Sequence, residues 1–303
     1  MGPSLSRRFV GSADKGRKHE TGRGGALKPV LTVPERFRRA VQSFQSYRNR
    51  PKGFLARVDY WVYLPGEEMP GQEEIMHRML AANPYAIRGV SPIGTAEAVY
   101  FSDVRVDFSL VRKDRNPRIF RSAVFPESLD PGLAQLSQVE ESCALIKISF
   151  VSEQPVGDTR HTGFCVHAAD AVAELAHGSV IYDRVAERLW TRPELAEALN
   201  RDFKGQDSDL HVATRWFGAA EGGWVETRGL RKIGLAEMKT AHMERDQQVL
   251  IRAVVELAVE KVWSAVKLDD EIMVTLFDDE FKVVSGKRGA EFNDVRILRL
   301  AEG

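Results

Sequence analysis

The sequence predicts an α+β protein of two lobes behind a basic N-terminal arm, and three observations carry that reading. The first is a change of pattern at Phe54, where a Gly- and Arg-rich leader gives way to the alternating Phe54-Leu-Ala-Arg-Val-Asp-Tyr-Trp-Val-Tyr-Leu64 of a strand. The second is the order of periodicities that follows, β-α-β-β-α-β, which is that of a split βαβ, ferredoxin-like unit. The third is charge. The 303 residues carry 43 Lys/Arg and 43 Asp/Glu, yet residues 1–53 hold 13 Lys/Arg against Asp14, Glu20 and Glu35, so that +10 at the front balances −10 over residues 54–303.

Residues 1–32 show no hydrophobic period and too little apolar surface to repay the entropy of ordering them. The sequence therefore predicts a largely disordered arm over 1–53. Within it a short amphipathic helix spans 34–47, where Phe37, Ala40, Val41, Phe44 and Tyr47 recur at helical spacing. The arm's cations, Arg7, Arg8, Lys15, Arg17, Lys18, Arg23, Lys28, Arg36, Arg38 and Arg39, are its candidate binding residues. Cations spaced by glycine can neutralise nucleic-acid phosphates or an anionic membrane surface, and they equally suit an assembly tail that docks on an acidic partner.

The first lobe is expected over 54–152. A helix over Glu73–Ala82 turns Ile75, Met76, Met79 and Leu80 inward, and strands follow at Ala96–Phe101 and Val104–Lys113. Pro131–Glu141 reads as a helix and Ala144–Val151 as a strand. Glu153–Arg160, with Pro155 and Gly157, reads as a hinge into a second α+β lobe over 153–303. There Thr162–Ala176 is helical and closed by His177-Gly178. A hairpin follows over Ser179–Asp183 and Glu187–Trp190, and Thr191 with Pro193 opens another helix. Strands are expected at Leu210–Phe217 and Trp224–Thr227, the longest helix at Arg245–Val266, and closing strands at Glu271–Phe277, Phe281–Val284 and Val295–Leu300.

The chain contains no phosphate-cradling glycine loop of the P-loop or dinucleotide type, no His-Glu-x-x-His, no nucleophile elbow and no paired Cys-x-x-Cys. No cofactor is expected. The densest cluster is His161-x-x-x-Cys165-x-His167-x-x-Asp170. A thiolate with two imidazoles could ligate zinc, or a histidine could activate Cys165 as a nucleophile. On a helix, however, His167 and Asp170 lie on the side opposite Cys165, and a small buried thiol is the plainer reading. The acidic runs Asp269-Asp270-Glu271 and Asp278-Asp279-Glu280 could hold a hard divalent cation, though solvated turns commonly look the same. Two cysteines, Cys143 and Cys165, build neither a disulfide framework nor a four-cysteine zinc site, which points to a reducing cytoplasm. No apolar run reaches the roughly 18 residues of a membrane span.

The segment Trp224-Val-Glu-Thr-Arg-Gly-Leu-Arg-Lys-Ile-Gly-Leu-Ala-Glu237 describes a tight connection in which Gly229 and Gly234 serve backbone geometry. Its Trp224, Thr227, Gly229, Leu230, Gly234 and Glu237 resemble a stretch found in bacterial families catalogued only as domains of unknown function. Gly178-Ser-Val-Ile-Tyr-Asp183 resembles a hairpin of the same proteins. Ile233 stands where those families carry an aromatic residue and Ala236 where they carry proline. The resemblance covers roughly 162–300 and implies a bacterial α+β lobe; it carries no catalytic residue across. The functional expectation is a non-enzymatic interaction or assembly protein, of immunity type among the options, that binds another protein with help from the arm. A nucleic-acid-associated protein using residues 1–53 and a Cys/His-dependent enzyme are the alternatives.

Overall fold

The computed structural model of the chain describes residues 55–81, 106–129, 131–202, 204–289 and 291–300, all within one compact unit spanning Lys52–Gly303. The expected arm, the helix expected within it at 34–47 and the strand expected at 96–101 lie outside the described residues.

Two sheets organise what is described. The five-stranded sheet runs β2 (Asp107–Arg112), β3 (Ala144–Val151), β1 (Arg57–Leu64), β4 (Val180–Asp183), β5 (Arg188–Thr191), with every neighbouring pair antiparallel. β1 is its central strand and is buried from Val58 to Leu64. The period of two decides what each side chain meets. Val58, Tyr60, Val62 and Leu64 face one core, whereas Trp61 and Tyr63 face another with Phe120, Phe125 and Val139. The first core is covered by α1 (Gln72–Ala81) and α3 (Arg160–Leu175), the second by the 3-10 turns over 117–124 and by α2 (Leu133–Glu141).

This pairing departs from the expected ferredoxin-like unit. A split βαβ would seat the strand at 104–113 beside β1; instead β2 pairs with β3, and the second edge of β1 takes β4. Nor do the sheets divide at the expected 152/153 boundary. β1 is buried on both faces from Val58 to Leu64, so its backbone needs a partner on each edge and its faces a cover, and the chain beyond 153 supplies α3, β4 and β5. α4 (Arg192–Arg201) follows from the expected cap: Thr191 Oγ1 accepts from Glu194 N (3.4 Å) while Glu194 Oε2 accepts from Thr191 N (2.7 Å). After α3, it is His177 that adopts positive φ (53°); Gly178 is needed for space, since a Cβ there would lie 2.7 Å from Val62 Cγ1.

The second sheet begins only after α5 (Ser208–His211), a short helix where the sequence predicted the start of a strand. Its order is β10 (Glu271–Leu276), β11 (Asp279–Arg288), β12 (Phe292–Arg299), β8 (Glu237–Thr240), β7 (Gly222–Arg228), β6 (Ala213–Gly218), with the short β9 (Met243–Glu244) also on β7. The β12–β8 pair is parallel, which makes this sheet mixed. α6 (Gln248–Ala265) lies across one face. Its Val254, Val255, Ala258, Val259, Val262 and Trp263 close on Val225, Met238, Ile272, Val274, Phe281, Val283 and Val295. Lys261 of the same helix hydrogen-bonds the carbonyl of Met273 on edge strand β10 (2.5 Å). Among the described residues no helix is long and apolar enough to cross a membrane.

Ile146 on β3 is fully buried in the core shared with α3. Truncation to alanine should cost about 2–5 kcal/mol, read as a lower urea midpoint at unchanged slope; a cost near zero would mean that α3 does not close this core.

Candidate functional site: a sealed lysine cluster and an open groove

The Trp224–Glu237 segment builds the interior site. β7 ends at Arg228, and Gly229 turns the chain with φ 128°; a Cβ there would fall 2.1 Å from the His211 carbonyl oxygen. A 3-10 turn over Leu230–Ile233 follows, and Gly234, left-handed at φ 75°, ends it. Glu237, buried at the start of β8, reaches back into this turn. Its Oε1 accepts from Gly229 N (2.9 Å) and Arg231 N (3.2 Å), its Oε2 from Leu230 N (3.2 Å) and Thr227 Oγ1 (2.8 Å). Burial pushes the Glu237 pKa up, and these four donors oppose the shift by stabilising the carboxylate. The glycines thus serve the geometry that the sequence assigned to them: they let three successive N–H groups converge on one buried carboxylate.

The turn so fixed drives Lys232 into the interior, where its side chain is wholly buried. An ammonium has three protons to place. The Lys232 Nζ meets Asp183 Oδ2 of β4 in an ion pair, Tyr60 OH of β1 at 3.2 Å and His211 Nδ1 of α5 at 3.2 Å. His211 Nε2 lies 2.7 Å from the Gly205 carbonyl, so Nε2 carries the ring proton and Nδ1 is left as an acceptor. Trp263 of α6 stacks on the imidazole (centroids 5.3 Å apart) and donates its indole N–H to Gln206 O (2.6 Å). The second Asp183 oxygen accepts from Val185 N (3.2 Å) and Ala186 N (3.1 Å), and His161 Nε2 holds the Lys232 carbonyl (2.7 Å).

Burial lowers the Lys232 pKa, and the Asp183 carboxylate works against that. His211 is held well below the ordinary histidine value, first by burial and then by the Lys232 charge, so it is neutral at pH 7. Tyr60 is pushed well above the ordinary phenol value by burial and by Asp183. Tyr60, Asp183, His211 and Lys232 are each 0 % exposed. The network can hold a charge and order its protons, but it offers no face to a substrate arriving from water.

The candidate residues of α3 are not assembled into one site. Cys165 is buried and its thiol is pushed up by burial, the opposite of an activated nucleophile. Asp170 points to Arg78 on α1 (3.4 Å), with its pKa raised by burial, and His167, half-buried one turn earlier on the side away from Cys165, lies near Gly205. Cys143 and Cys165 are both free thiols. The acidic runs are engaged in ion pairs, Asp269 with Lys267, Asp270 with Arg288, Glu271 with Lys282 and Asp279 with Arg299. Among the described residues no group of three His, Cys, Asp or Glu could hold a metal ion. All ten arm cations lie outside the described residues.

No family model, curated protein or solved structure matches the chain. What it offers a partner must therefore be read from its own surface. A groove of about 750 Å³ opens between β6 and α6, lined by Arg188, Asp209, Thr214, Trp216, Arg252 and Glu260 among others. Sequence reasoning missed Tyr60, Asp183, His211 and Lys232. One signal was available for the last: a lysine between two geometry-bearing glycines, beside Leu230 and Ile233, cannot easily leave the turn that buries its neighbours.

Two outcomes follow from this cluster. Lys232→Met leaves Asp183 buried without its cation and should cost about 3–5 kcal/mol in denaturant unfolding. The double variant with Asp183→Leu should recover part of the loss, and a single variant as stable as the parent would contradict the burial described. Second, the folded-state pKa values of His161 and His211 lie below the unfolded value of about 6.5. Above that pH neither state binds the protons; below it the unfolded chain takes protons that the folded chain refuses, so stability falls as pH drops from about 6.5. His211→Gln should flatten that slope in unfolding curves measured between pH 7.5 and 5.5.

Proposed function

We propose that the chain is a non-enzymatic interaction protein, in which the described residues form a firm platform and residues 1–53 an electropositive arm, together engaging another protein. One observation carries the reading. Strongly perturbed ionisable groups, Tyr60, His211 and Lys232, are sealed and bonded by the chain's own atoms, whereas the groove between β6 and α6 is open to solvent and of mixed charge. Pockets for small molecules are mostly apolar with few polar groups; a groove carrying three arginines and three carboxylates suits a macromolecular surface better. Two unpaired thiols support a reducing, cytoplasmic setting, and an immunity or assembly role in a bacterium is the biological form that the domain resemblance favours.

The test compares the full chain with a variant whose arm cations Arg7, Arg8, Lys15, Arg17, Lys18, Arg23 and Lys28 are all glutamine. Cross-linked capture from the source organism should return a protein partner with the parent and less of it with the variant. Titration with duplex DNA and with RNA over a range of salt should stay flat for both. Salt-dependent nucleic-acid binding that vanishes in the variant would replace the protein-partner reading with the nucleic-acid one.

A further inference from the structure

Among the described residues β6 is an edge strand of the seven-stranded sheet with β7 as its one neighbour, paired from Ala213↔Arg228 to Gly218↔Gly223. In an antiparallel ladder alternate residues turn their N–H and C=O away from the partner strand. Two hydrogen bonds fix which ones. Ala219 N donates to Gly222 O at the hairpin end (3.0 Å), and Val225 N is turned to the far side of β7, where it meets Thr240 Oγ1 (2.9 Å). Counting back from Ala219 in steps of two, Phe217 and Arg215 bond to β7. Thr214 and Trp216 then face outward, and among the described residues no backbone group meets them there.

Those two residues line the groove, whose opposite wall is the i, i+4 stripe Gln248, Arg252, Glu256 and Glu260 of α6. The Trp216 indole nitrogen is buried and, among the described residues, has no hydrogen-bond partner. The groove's cations are already committed: Arg252 to Glu256 (2.9 Å), Arg188 to the carbonyls of Asp209 and Val212, and Arg215 to Ser128 O and Glu187 Oε2. Asp209 and Glu260 form no ion pair among the described residues, and Arg188 keeps its charge beside Asp209, so the balance left for a visitor to meet is a single negative charge. Neither proline nor lysine interrupts the Ala213–Gly218 edge, and its one charge, Arg215, sits at a position bonded to β7 with its guanidinium held by Ser128 and Glu187. The opposite edge of the sheet differs, since Lys261 occupies the Met273 carbonyl of β10.

We propose that β6 accepts an extra strand from a basic, extended peptide segment of the partner, laid in the groove against α6. The backbone groups of Thr214 and Trp216 pair with the peptide, and its Lys or Arg side chains meet Asp209 and Glu260. The inference rests on the interaction-protein reading and gives it a place and a ligand chemistry. Strand addition of this kind draws affinity from main-chain hydrogen bonds and selectivity from alternate side chains, and about five residues of extended chain span roughly 17 Å.

The probe is a fluorescein-labelled decapeptide of alternating Lys and Val, titrated against the full chain by anisotropy. Its twins are a Glu/Val peptide and a Lys/Val peptide N-methylated at alternate amides, which cannot extend a sheet. The parent should bind the basic probe, bind both twins about tenfold or more weakly, and show amide-exchange protection at Thr214 and Trp216. Asp209→Lys/Glu260→Lys, two substitutions at the groove, should reverse the charge preference while leaving the thermal midpoint in place. No binding of the basic probe, equal binding of the N-methylated twin, or protection confined to other strands would overturn the proposal. If the partner captured from the source binds the Asp209→Lys/Glu260→Lys variant as well as the parent, the groove falls and the interaction reading stands. If no form of the chain captures any partner, the interaction reading itself falls.

Discussion

An ammonium group taken out of water must find an acceptor for each of its three protons, and Lys232 finds them on three separate parts of the chain. Asp183 comes from the end of β4, Tyr60 from the middle of β1 and His211 from the short helix before β6. A buried ion pair of this kind gives little net stability against a well-packed apolar replacement, because desolvation consumes most of the attraction. Its demand is geometric. Unless β1, β4 and α5 stand in one arrangement relative to the turn that carries Lys232, a charge is left unpaired in the interior. The pair therefore fixes how the two sheets meet, and the polar contacts around it, from His161 to Trp263, hold its members in place.

The same demand explains the Trp224–Glu237 segment. Three backbone N–H groups in a tight turn repel one another unless an anion collects them, and Glu237 is that anion from within the chain. Gly229 gives the turn room beside the His211 carbonyl, and Gly234 releases the chain into β8. While Arg228 and Arg231 line a small open pocket with Asp59 and Glu187, the buried charges of this motif, Lys232 and Glu237, are satisfied inside the chain. Its residues are held by packing and hydrogen-bond closure, so a stretch of this pattern can recur without implying a shared reaction.

Much of the local structure was legible in the sequence because it is written in short periods. β3 was expected at its observed bounds, β1 within three residues and α3 within two, as alternation or helical spacing dictated. The Thr191 cap and the special backbone at Gly229 and Gly234 were legible for the same reason: each depends on neighbours within a few positions. Long-range pairing was not. Whether β1 would sit beside 107–112 or 180–183 depends on which segment best fills a central strand buried on both faces, and no local period records that. The lysine cluster was hidden similarly, since Tyr60 and Lys232 lie 172 positions apart and each looks ordinary alone. The α3 cluster His161, Cys165, His167 and Asp170 misled in the opposite sense. Close in sequence, its members turn to different surroundings around a helix buried on nearly all sides.

The two ends of the larger sheet are unequally finished. Lys261 fills a carbonyl on β10 that a new neighbour would need, while among the described residues β6 carries no such stopper. A sheet open at both ends can grow without limit once copies meet edge to edge. One stoppered at a single end can accept one guest and then stops, which favours a closed complex of fixed stoichiometry over a fibre.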